Sequence, residues 1–109
     1  MAKKTFTQAE QDAVWNKAFV QNNNDPNLFR KDYAGAWIRK SDYGNRDSEY
    51  GWEIDHLYPE SLGGNDDLSN LMPLHWKNNV SKGDNYPRWT TSVSSDGIKN
   101  VESVRNWKI

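Results

Sequence analysis

Asp55 and His56 set a carboxylate beside an imidazole at the end of an alternating run, Trp52-Glu53-Ile54. Hydrolysis of a phosphodiester makes three demands: a proton acceptor for water, something to neutralise developing charge, and alignment. His56 answers the first, because neutral imidazole near pH 7 is the commonest biological base. On a strand, neighbouring side chains point to opposite faces, so Asp55 and His56 converge only where the backbone bends. Residues 57–69, with Pro59, Gly63-Gly64 and Asn65-Asp66, supply that bend and a compact loop. Alone, an Asp-His dipeptide is ordinary: a surface Asp beside a core His. Two asparagines change its weight. Asn70 lies fourteen residues after His56, and Asn79 nine residues after Asn70.

These residues need a frame that brings them together. Within residues 51–82, the run to Asp55 and His56 reads as a strand, residues 71–74 as a short apolar strand, and residues 75–82 as a helix. Upstream, residues 7–21 read as a helix opened by a T-x-x-E capping box, Thr7 with Glu10. Val14 and Ala18, with Trp15 and Phe19 adjoining, form its core face. Asn22-Asn23-Asn24-Asp25-Pro26 is a turn cluster, and Asp25 caps one further helical turn through Lys31. Ala36-Trp37-Ile38 reads as a short strand, followed by a loop over residues 41–48. Downstream, Asp96-Gly97 between residues 89–95 and 98–104 signals a β-hairpin. Under a two-residue turn there, Trp89, Thr91 and Val93 share a face with Ile98 and Val104.

With its spacing and framing residues, the central stretch resembles the HNH family of ββα-metal endonucleases. The matching pieces are Glu53-Ile54-Asp55-His56, Pro59-x-Ser61-x-Gly63-Gly64, Asp67-Leu68-Ser69-Asn70-Leu71, and Pro73-Leu74 leading to Asn79 and Lys82. A looser likeness to small stand-alone bacterial and phage members extends back through Asp25-Pro26 and residues 35–38. The resemblance implies an α+β fold: a ββα-metal core with an N-terminal helix and a C-terminal β-hairpin. It implies that Asp55 and Asn79 hold one divalent metal, His56 is the general base, and Asn70 braces the loop. Asn79 stands where the family name has its last histidine, so this is an HNN variant. The implied reaction is hydrolysis of DNA, leaving 5′-phosphate and 3′-hydroxyl ends. Oxygen ligands from Asp55 and Asn79 favour Mg²⁺, with Mn²⁺ second, over Zn²⁺ or Ni²⁺. The alternative is a catalytically silent module that binds nucleic acid or a protein partner.

Composition frames these expectations. The chain of 109 residues is expected to be one domain with a core built around six Trp, five Tyr and three Phe, since its mean hydropathy is only -1.05. It has no cysteine, so disulfides and a structural zinc held by cysteines are excluded. No apolar run approaches the length of a membrane span and the N-terminus lacks a secretory stretch, so a cytoplasmic location is expected, with signal-less export still open. Net charge is -1, yet unevenly spread: residues 47–67 carry seven acids and no base, between segments at residues 29–46 and 68–109 that each carry +3. That pattern suits a central cation with phosphates gripped at its sides. Lys82, Arg39, Lys40, Arg46 and Lys77 are the expected nucleic-acid contacts. Glu53 is expected to pair with an Arg or Lys, His75 to start the helix, and Trp52 and Trp76 to lie in the core. A phage-packaging or inhibitor partner is not readable from the chain.

Overall fold

The computed structural model describes residues 5–109. Helix α1, Gln8–Trp15, begins at the capping box: Thr7 Oγ1 accepts from Glu10 N, and the Glu10 carboxylate accepts from Thr7 N. It is half the expected length. The Arg30 guanidinium explains the early stop, because it donates to the carbonyls of Asn16 and Ala18 and to that of Pro26. Carbonyls past the end of the helix are thus satisfied without a further turn. The chain leaves the axis, and Phe19 pairs with Lys31 as an extra rung, its side chain 52% exposed.

The expected helical segment at 25–31 is also corrected. Asp25 closes one turn, accepting from Leu28 N and Phe29 N, and strand β1, Phe29–Lys31, starts at once. It pairs antiparallel with β2, Trp37–Arg39. The tie to the centre of the molecule is Asp32. Its Oδ1 accepts from Ala34 N and Ala36 N, and its Oδ2 from His75 N and Asn78 Nδ2.

The central unit is β3, Trp52–His56, and β4, Leu71–His75, joined by a loop with 3-10 turns at Glu60–Leu62 and Leu68–Asn70. The strands are antiparallel, with Ile54 opposite Pro73 and Asp55 opposite Met72. Helix α2, Trp76–Lys82, lies against both. This is the strand–loop–strand–helix arrangement expected from the sequence. Trp52, Ile54 and Leu71 pack with Val14, Trp15 and Ile38, and the Trp15 and Trp52 rings lie 5.3 Å apart.

The C-terminal arm pairs β5, Arg88–Thr90, with β8, Asn106–Lys108, and β6, Val93–Asp96, with β7, Lys99–Glu102. Between Thr90↔Asn106 and Val93↔Glu102 one arm has two residues and the other three, so the ladder carries a bulge. The turn is Gly97-Ile98, not Asp96-Gly97, because Asp96 pairs with Lys99. Gly97 takes the left-handed conformation there, at φ +61°. The shift in turn and the bulge put Ile98 and Val104 in solvent, while Trp89, Thr91 and Val93 are buried as expected. Trp89 packs with Leu74 and Ala34. Asn78 fastens this arm to α2: its Oδ1 accepts from Ser92 N and Val93 N.

Candidate active site

Strand β3, helix α2 and the loops on either side of β3 meet at a cleft of about 450 Å³ lined by Arg46, Glu53, Asp55, His56, Glu60 and Asn79, among others. Asp55 and His56 come from the last two positions of β3, and Asn79 from the middle of α2. The loop after β3 provides Glu60.

Asp55 is only 4% exposed. Its Oδ1 lies 3.2 Å from the Nζ of Lys82, which is fully buried. Its Oδ2 is buried with no hydrogen-bond partner among the described residues. Burial pushes the carboxyl up to about 6, against the pull of Lys82 and His56. An unpaired buried carboxylate oxygen is costly, and a cation would satisfy it.

Asn79 Nδ2 donates to Glu53 Oε1 at 2.9 Å, which fixes the amide and leaves Oδ1 as an oxygen donor. Glu53 is itself held by Arg46 through two bonds, Nε to Oε2 at 2.7 Å and an Nη to Oε1 at 2.9 Å. The expected pairing of Glu53 with a cation is therefore present. Two hard oxygen donors, Asp55 Oδ2 and Asn79 Oδ1, fit a divalent ion of the Mg²⁺ type.

His56 Nε2 lies 2.7 Å from Asp66 Oδ1 and 4.0 Å from Glu60 Oε2. These three residues also offer ligand atoms all within 4.8 Å of one another. Asn70 closes the 3-10 turn just before β4 and makes three bonds across the loop. Its Oδ1 accepts from Tyr58 N, and its Nδ2 donates to Tyr58 O and Asn65 O. Gly64 lets the loop close this tightly, since a Cβ there would sit 1.8 Å from Tyr58 O.

The expected phosphate contacts are spread differently. Lys82 is corrected: it is an interior residue, donating to His56 O at 2.9 Å besides pairing with Asp55. A lysine three positions beyond Asn79 follows the same helix face, and that face is the one covered by β3. Arg39 pairs with Asp42 at 3.2 Å, and Lys40 with Asp12 at 3.6 Å. Lys77 and Arg46 lie over the Trp76 ring, 5.5 and 6.0 Å from its centre. Trp76 is accordingly half-buried, not core. Of these five cations, Arg46 lines the cleft and the other four do not.

Asn78, the neighbour of Asn79, is buried and fully used by Asp32 and the C-terminal arm, so it is not part of the site. His75 begins α2 as expected: its Nδ1 accepts from Lys77 N and its Nε2 meets Glu49 O at 2.7 Å. Asp66 and Glu60 escaped the sequence reading. The run of seven acids without a base was their one signal, but nothing in it singles out the two that meet His56.

The family model for HNH endonuclease matches residues 40–85, which span β3, β4, α2 and the loop between the strands. The central segment belongs to the HNH family. Its β3–β4–α2 unit is the ββα-metal core of that family, set in an α+β fold. No curated protein and no solved structure matches the chain. Among the described residues, no helix is long and apolar enough to cross a membrane.

Proposed function

We propose that this protein is a Mg²⁺-dependent endonuclease that hydrolyses DNA phosphodiester bonds. The observation that carries the reading is the buried, orphaned Oδ2 of Asp55, a residue that lines the same cleft as His56 and Asn79. Asp55 and Asn79 hold the metal, Mn²⁺ being its nearest substitute. When bound, the ion supplies Lewis-acid stabilisation of charge developing on the phosphate and on the departing oxygen. His56 takes a proton from water, and that oxygen attacks phosphorus as the bond to the 3′ oxygen breaks. The products carry 5′-phosphate and 3′-hydroxyl ends. Asn70 keeps the loop closed under Tyr58 and Asn65, so that His56 stays aligned.

Arg46 sits at the cleft beside Glu53 and is the residue best placed to meet the DNA backbone. Arg39, Lys40 and Lys77 lie outside the cleft and would act on flanking phosphates. Incubation of supercoiled plasmid with the protein and Mg²⁺, beside His56→Ala, tests the reading. Nicking by the wild type that is lost in the variant and on chelation is expected. Equal nicking by both proteins, or full activity after exhaustive chelation, would overturn the mechanism. DNA binding without nicking by either would favour the silent module.

A further inference from the structure

We infer that Asp66 is the positioning residue of the base, setting which ring nitrogen of His56 faces the reaction. The inference rests on the nuclease reading only for its kinetic consequence; the geometry stands by itself. An ionised carboxylate only accepts hydrogen bonds, so the nitrogen 2.7 Å from Asp66 Oδ1 must carry the hydrogen. That nitrogen is Nε2. A neutral imidazole has one N–H, so the lone pair is on Nδ1, which makes no hydrogen bond among the described residues. Glu60 Oε2, at 4.0 Å, is beyond hydrogen-bond reach and does not compete for this role.

Asp66 is a loop residue, and a loop carboxylate orients nothing unless the loop is held. Asn70 holds it. Its Nδ2 donates to the carbonyl of Asn65, the residue before Asp66, while Asn65 Oδ1 accepts from Asp67 N on the other side. The backbone on both flanks of Asp66 is thereby tied to the turn that leads into β4. Lys82 fixes the other end, donating to the carbonyl of His56 itself. Backbone and ring of the histidine are thus held separately, one from α2 and one from the loop. In the reaction, the water proton passes to Nδ1, the water oxygen bonds to phosphorus, the phosphorus–3′ oxygen bond breaks, and solvent protonates the 3′ oxygen.

The chain has two histidines, and His75 provides an internal control. Its Nδ1 accepts from Lys77 N and its Nε2 meets Glu49 O, so it holds the same tautomer by partners that do not involve Asp66. Long-range ¹H–¹⁵N spectra of the full chain, wild type against Asp66→Ala and Asp66→Asn, read the tautomer directly. His56 is expected to show an N–H at Nε2 and a bare Nδ1 in the wild type. In Asp66→Ala the His56 nitrogens average, while those of His75 do not change. Asp66→Asn keeps an acceptor oxygen and restores the wild-type pattern. Plasmid nicking by Asp66→Ala falls in kcat on the order of tenfold, with KM and melting temperature unchanged. An unchanged His56 spectrum in Asp66→Ala would overturn the assignment. So would loss of the Nε2–H signal when Mg²⁺ is added, which would make His56, Glu60 and Asp66 a cation site. A wild type that shows the tautomer but cleaves nothing would sink the nuclease reading and leave the orientation standing.

Discussion

Lys82 reaches back from the last turn of α2 to place its ammonium 3.2 Å from Asp55 Oδ1, with both side chains out of water. The same Nζ donates to His56 O, so one lysine holds the end of β3 to the helix. Removing one partner of a buried pair leaves an uncompensated charge, which typically costs about 3 kcal/mol. Lys82→Met should therefore unfold at markedly lower urea concentration than the wild type. Mg²⁺ should recover part of that loss, because a cation at Asp55 replaces the missing positive charge and binds only the folded state. Urea titrations of both proteins with and without Mg²⁺ check this. A variant with the wild-type midpoint would show that the pair carries no weight.

Asn70 closes the loop with three hydrogen bonds from one amide: one accepted from Tyr58 N, two donated to Tyr58 O and Asn65 O. An amide alone offers both functions at once. Asn70→Ala removes all three and should cost about 1–3 kcal/mol. Asn70→Asp keeps the acceptor but turns both donors into lone pairs facing carbonyls, and should be at least as damaging. Amide hydrogen exchange should report the loss locally, as faster exchange at Tyr58 with α1 unaffected. Uniformly faster exchange across the chain would mean that Asn70 supports the whole fold, not the loop.

The placing of Asp55, His56 and Asn79 at one cleft, with Asn70 in the loop between the strands, was legible because all four lie in one short segment whose spacing encodes strand, loop, strand and helix. What joins them was not. Lys82 reads as a surface cation until β3 is seen covering its helix face, and the Arg46–Glu53–Asn79 chain depends on a loop folding back over the strand. The end of α1 was misread for a similar reason. Val14, Ala18 and Phe19 continue a helical pattern, but Arg30, fourteen residues beyond Asn16, takes the carbonyls and stops the helix. Asp32 was not legible because only two of its four donors, Ala34 N and Ala36 N, are its neighbours, while His75 N and Asn78 Nδ2 come from a stretch 43 and 46 residues away. The tail hairpin was visible from its turn residues, while the choice of Gly97-Ile98 over Asp96-Gly97 followed from pairing alone.

His75 should make stability sensitive to mild acid. Burial lowers its pKa below the ordinary 6.5, because protonation would place charge in the interior. Protonation would also convert Nδ1 from acceptor to donor and break its bond to Lys77 N at the start of α2. The folded state binds this proton less readily than the unfolded chain. Its stabilising contribution is thus complete above 6.5 and declines as pH falls from there towards the lowered folded value. His75→Asn keeps a side-chain acceptor for the helix start and does not titrate. The difference in unfolding free energy between wild type and His75→Asn should shrink as pH drops from about 7 to about 5. A difference that stays constant over that range would show that His75 does not supply the dependence.

Asn79→His restores the residue that the family name leads one to expect, and it should change the metal without dismantling the site. Asn79 gives one N–H to Glu53 Oε1, and its oxygen is the atom proposed to meet the ion. A neutral imidazole also has one N–H and one lone pair, so it can serve Glu53 and still ligate. The donor becomes nitrogen, which shifts affinity towards Zn²⁺ and Ni²⁺ and away from Mg²⁺. Calorimetric titration should show Zn²⁺ binding the variant at least about tenfold more tightly than the wild type, the scale of one good ligand substitution. Nicking supported by Mg²⁺ should fall in the same variant, while nicking by Mn²⁺ falls less. Unchanged Zn²⁺ affinity in a variant that keeps the wild-type melting temperature would remove Asn79 from the metal site and leave Asp55 as its one identified ligand.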